Sequence, residues 1–174
     1  MRAPGLIGVL ALAAMPALAQ DKAGADSASL AVLDLCEHFA TGDMDDAMDY
    51  ATALGWMVNQ EPSDGPYSSN YAGFRSFAGL GDGNLWVQAE RYPGVVNIAC
   101  SVGFDMAGPD ADAQVAALNR LDWLDGELSA DETGIYGTWS GNGHEPELVQ
   151  AFQNKDGFVL RLTQRIRTDA SLKP

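Results

Sequence analysis

Two cysteines, two histidines, a run of aspartates and a row of arginines are the residues of this chain equipped for chemistry. Cys36 follows Val32 and Leu35 on what reads as the apolar stripe of a helix, and Cys100 falls among Val96, Ile98, Val102 and Phe104 on one face of a strand. Packing the helix on the strand brings the two sulfurs together. In an oxidising compartment such a pair is expected to be a disulfide, the alternative being two buried free thiols. Closing a loop of 64 residues is worth roughly 4 kcal/mol in the chain-entropy view. A redox role is not expected, since no C-x-x-C occurs.

The remaining candidates lack the spacing their chemistry needs. His38 and His144 are the only histidines, and no H-x-x-x-H or H-E-x-x-H is present, so Glu145 beside His144 does not complete a zinc set. Asp43, Asp45, Asp46 and Asp49 suggest calcium, but Met48 and Leu54 stand at the sixth and twelfth positions, where that loop needs Gly and Glu. Ser140 in Gly137-Thr138-Trp139-Ser140-Gly141 departs from G-x-S-x-G at Thr138. Gly79-Leu80-Gly81-Asp82-Gly83 has the glycine content of a phosphate loop, yet no helix follows it and Asp82 repels phosphate. Scattered carboxylates such as Glu90 and Asp122 could act as acid and base without any local motif. No catalytic residue, metal site or cofactor is assigned.

Charge carries more information. The chain has 174 residues, 10 Lys+Arg, 24 Asp+Glu and a formal net charge of -14. That excess repels phosphates and argues against a nucleic-acid partner. A hydrophobic content of 47% is ordinary for a chain that buries a core, which argues against disorder. The charges are also unevenly placed: residues 21–64 hold ten acids and the single base Lys22, whereas residues 155–173 hold five bases and two acids. Arg161, Arg165 and Arg167 share one strand face, while Leu160, Leu162 and Ile166 point the other way. The stripe reads as a solvated face paired with acids such as Glu90 or Glu147, or as a docking surface for an anionic group or an acidic partner.

Helices and strands must position these residues. Residues 30–41 form an amphipathic helix ended by Gly42. Asp43 then caps a second helix, with Asp45 and Asp46 in its first turn. Gly55 takes the left-handed position after that helix, and Trp56 folds back on its last turn. Residues 57–84 carry little regular signal beyond a short strand near Phe74 and read as a long loop. Residues 85–92 and 95–104 alternate around Pro93-Gly94 as a hairpin. A third helix starts at Pro109 and Asp110, with Val115, Ala117, Leu118, Leu121 and Leu124 as its stripe and Gly126 as its stop. Residues 135–139 form a strand, and residues 148–152 and 158–166 a second hairpin.

At the amino end, Met1-Arg2, the apolar run from Leu6 to Met15 and Ala17-Leu18-Ala19 have the layout of a secretory signal peptide cut before Gln20. The apolar run is short of the ~20 residues a membrane span needs.

The series Leu35-Cys36, Gly42-Asp43, Gly55-Trp56 and Asn97-Ile98-Ala99-Cys100 resembles small secreted proteins of alphaproteobacteria that have no known activity. The resemblance implies a periplasmic α+β domain with one Cys on the first helix and one on a strand of the first hairpin. It implies no catalytic residues.

The expected fold is therefore α+β, with amphipathic helices packed on one face of an antiparallel sheet of four to six strands. The expected divisions are a signal peptide at 1–19, a lead-in at 20–29, one domain at 30–168 and a tail at 169–174. The function expected is an exported, non-enzymatic binding or accessory protein, periplasmic or secreted, for a basic or anionic-group-bearing protein partner. A small periplasmic hydrolase and a carrier of a small apolar ligand are the alternatives.

Overall fold

The computed structural model describes residues 28–63, 65–77, 80–105, 109–141 and 147–168. The signal peptide, the lead-in up to residue 27, the tail, Gly79, His144 and Glu145 lie outside the described residues. Helices α1 (Ala28–Ala40) and α2 (Met44–Ala53) lead into strands β1 (Met57–Glu61), β2 (Ser68–Phe77), β3 (Gly81–Tyr92) and β4 (Val95–Phe104). Helix α3 (Pro109–Leu118) leads into β5 (Leu124–Asp131), β6 (Gly134–Gly141), β7 (Leu148–Asn154) and β8 (Gly157–Arg167). Each set of four strands is an antiparallel meander. The two meanders meet through β4 and β8, giving one sheet in the order β1-β2-β3-β4-β8-β7-β6-β5.

This corrects the expected architecture. The sheet has eight strands where four to six were expected, and strand outweighs helix in the fold. Residues 57–84 hold β1, β2 and the start of β3, where a loop was expected. The third helix stops at Leu118, so Leu124 opens β5 and Gly126 lies inside that strand.

Cross-strand register decides which residues meet. One row runs from Tyr71 through Val87, Cys100, Leu162 and Val149 to Trp139, and every member is buried. The next row adds Leu85, Val102, Leu160 and Ala151, also buried. Val32, Leu35 and Phe39 of α1, Ala47 and Ala51 of α2, and Val115 and Leu118 of α3 close the same core. Toward one end of it Phe77, Phe104 and Phe158 form a chain of ring contacts at 5.2 and 5.8 Å, with Trp56 edge-on to Phe77.

Local signals set the helix ends. Asp43 caps α2 by accepting from the Asp46 N–H at 3.2 Å, and Asp45 and Asp46 sit in the first turn, where the helix dipole favours them. At the other end Gly55 has φ +84°, a conformation that costs glycine little. Its N–H donates to Thr52 O, and Trp56 N–H donates to Ala51 O at 3.0 Å, the paired pattern of a Schellman end. Trp56 is thereby turned into the core.

Candidate functional site

Cys36 and Cys100 form a disulfide that joins α1 to β4, with Cα atoms 5.5 Å apart. Both residues are fully buried, so the bond is a structural tie with no solvent-facing sulfur. Among the described residues there is no other cysteine, no group of His, Cys, Asp and Glu arranged to hold a metal, and no helix long and apolar enough to cross a membrane.

The expected acids and histidine serve local roles. Asp43 and Asp46 are the capping pair described above. His38 Nδ1 lies 2.9 Å from Asp34 O, and its ring stacks on Tyr50 with centroids 3.5 Å apart. Tyr50 donates its hydroxyl to the Asp34 carboxylate, and that hydrogen bond, then burial and the Asp34 charge, raise the Tyr50 pKa. Ser140 donates to the Asp125 carbonyl within the sheet. Glu90 lies on β3 and Asp122 just before β5. Those strands are five inter-strand steps apart in the sheet, roughly 24 Å measured along it, and no pocket brings the two acids together among the described residues.

A depression of about 600 Å³ near the β5–β6 turn is lined in part by Asp112, Asp131 and Glu132. Asp131 is already engaged there, because Oδ1 accepts from Thr133 N at 2.7 Å and from the Thr133 hydroxyl, as well as from Gly134 N. Those Thr133 bonds hold its carboxyl below the ordinary range, which keeps it ionised and unsuited to act as a general acid.

The face of the sheet opposite the core is different in kind. Because side chains alternate, the residues between the buried positions project from it together. One row reads Ala72, Trp86, Ser101, Arg161, Gln150, Thr138 across six strands. Beside it runs Met57, Phe74, Asn84, Gly103, Val159, Phe152, Tyr136 across seven. Met57 is 55% exposed, Phe74 and Trp86 45% each, and Val159 39%, so large apolar groups stand in solvent on neighbouring strands. Up to β6 Arg161 is the only charged residue in these two rows, and the first row ends on β5 at Glu127, opposite Thr138. On a chain with 24 acids, two adjacent rows that hold one cation and no acid from β2 to β6 set this part of the face apart.

All three expected arginines project from this face and are exposed, with Leu160 and Leu162 buried on the other side. Arg165 Nε donates to Asn97 Oδ1 at 3.3 Å across β4. Asn97 also pairs with Glu90, so it stands between Arg165 and the acid expected to neutralise it. Glu90 instead accepts from the Tyr92 hydroxyl at 3.3 Å. Glu147 donates its backbone N–H to Gln164 Oε1 at 2.8 Å. Among the described residues no carboxylate forms an ion pair with Arg161, Arg165 or Arg167.

The exposed apolar row was not read from sequence. Alternation places Phe74, Phe152 and Val159 on outward positions of their own strands, but only the β4–β8 pairing joins Phe74 and Val159 in one row. No protein-family model matches the chain, and no curated protein or solved structure does so either.

Proposed function

We propose that the protein is an exported, non-enzymatic binding or accessory protein whose binding surface is the exposed face of the sheet, directed at a partner bearing anionic groups. One observation carries this reading. Three arginines project from that face without a carboxylate partner among the described residues, and one of them, Arg161, shares a row with exposed Trp86 next to the row of Phe74 and Val159. Aromatic anchors flanked by arginine are the composition of energetic centres in interfaces. The disulfide and the signal-like amino end support export, since such bonds persist in oxidising compartments.

The test uses the wild-type protein and an Arg161→Gln, Arg165→Gln, Arg167→Gln variant as baits in periplasmic extract. The wild type should retain a partner whose binding weakens as salt rises, and the variant should lose it with an unchanged unfolding midpoint. Equal retention by both baits would refute the proposal.

A further inference from the structure

The chemistry of the occupant can be read from one part of this face. On β6, β7 and β8 the two exposed rows lie side by side, with Tyr136, Phe152 and Val159 in one and Thr138, Gln150 and Arg161 in the other. Together they line a depression of about 350 Å³. The Tyr136 and Phe152 rings stand 4.9 Å apart at an interplanar angle of 39° and form an aromatic wall. That wall is held in place, because the Tyr136 hydroxyl is hydrogen-bonded to Thr133, whose hydroxyl donates to Asp131. Val159 lies opposite Gly103 of β4, and the absent side chain there leaves that flank low.

The polar side holds one cation and no anion. Thr138 and Gln150 are neutral, and Arg161 has no ion pair among the described residues. Arg165 and Arg167 lie four and six residues farther along β8, about 13 and 20 Å away, and are outside the depression. The site thus provides for a single negative charge beside an apolar body. Each further negative charge would be repelled by the acidic chain as a whole.

We infer that this depression is a subsite for a small apolar monocarboxylate, its carboxylate accepting from the Arg161 guanidinium and its hydrocarbon body lying against Phe152, Tyr136 and Val159. A guanidinium binds a carboxylate through two parallel N–H bonds. The volume falls at the lower end of small-molecule sites, which run from about 300 to 1,000 Å³. The inference rests on the reading of the exposed face as the binding surface and names the chemistry of its occupant.

Decanoate, decanol and decyltrimethylammonium share one tail and differ in head group. Each is titrated into the protein below its aggregation concentration while backbone amide resonances of β6, β7 and β8 are followed. Decanoate should shift Phe152, Val159 and Arg161 and bind about tenfold more tightly than decanol. Arg161→Gln should bring that ratio near one while leaving decanol binding in place. Arg167→Gln, outside the depression, should leave the ratio unchanged, and Phe152→Ser should weaken both ligands. Equal affinity for decanoate and decanol in the wild type, preference for the cation, or shifts confined to other strands would overturn the subsite. If the triple arginine variant loses an acidic protein partner while decanoate shifts nothing, the subsite falls and the binding face stands. If the triple variant loses nothing and decanoate shifts nothing, both fall.

Discussion

Ser29 in the first turn of α1 is held by Gln114 of α3, 85 positions away in sequence. Ser29 N–H donates to Gln114 Oε1 at 2.8 Å, and the Ser29 hydroxyl donates to the Gln114 carbonyl at 2.9 Å. A helix leaves its first four N–H groups without partners inside the helix, and here a side chain from the second half of the chain satisfies one of them. Both residues are fully buried, so water cannot take over.

Gln114→Ala should therefore destabilise the fold by about 1–3 kcal/mol, since it strands a buried donor. Gln114→Met keeps the volume and also removes Gln114 Nε2, which has no hydrogen-bond partner among the described residues. It should cost less than the alanine change. Urea unfolding of the three proteins would show the order, and a Met variant weaker than the Ala variant would contradict it.

The disulfide ties α1 to the central strand β4. Its loss should cost about 2–5 kcal/mol, with Cys36→Ala and Cys100→Ala equivalent to each other and to reduction, because each removes the same cross-link. Denaturant midpoints with and without reductant measure this. Two titratable thiols in the unreduced native protein would contradict it.

How much of this could be read beforehand followed from burial. On β4 and β8 one face is buried and the other half-buried (β4) or largely exposed (β8), so Ile98, Cys100, Val102, Leu160 and Leu162 alternate visibly with their neighbours. The disulfide and the outward arginines were legible for that reason. On β5 every residue from Asp125 to Asp131 is exposed, so this edge strand has no buried face to write a period into its sequence. Its acids Asp125, Glu127 and Asp131 suit an unpaired edge. On β2, Gly73 and Arg75 stand between Tyr71 and Phe77, where apolar groups would have marked a strand. The depression lined by Phe152, Val159 and Arg161 depends on the order of the sheet, which no local pattern encodes.

Gly137 is required by the ring beneath it. A Cβ there would stand 1.8 Å from the Trp139 ring, and the Trp139 indole N–H is fixed at 3.1 Å on Asn119 Oδ1, so the ring cannot swing aside freely. Gly137→Ala should destabilise by about 1–3 kcal/mol and change the near-ultraviolet signal of the tryptophans. In a Trp139→Phe background the same change should cost less, because the clashing part of the ring is gone. Equal costs in the two backgrounds would show that the ring is not what excludes a side chain.

Glu37 of α1 gives the stability a pH dependence of known sign. Partial burial raises its pKa above 4.5, the Asp34 charge one turn earlier adds to this, and neighbouring His38 opposes both. A carboxyl whose pKa is higher in the folded state binds its proton more tightly there. Its contribution is fully present below the unfolded pKa and is lost as pH rises through the folded one. At neutral pH the fold therefore carries the cost of an ionised, half-buried carboxylate. Glu37→Gln should raise the unfolding midpoint at pH 7, and the gain should fade as pH drops through the raised pKa and be gone below 4.5, where the carboxyl is protonated in folded and unfolded chain alike. Midpoints of both proteins measured across that range decide the matter. A gain that persists undiminished at low pH would place its origin in packing or helix propensity, and a loss at pH 7 would mean that the pairing with His38 outweighs burial.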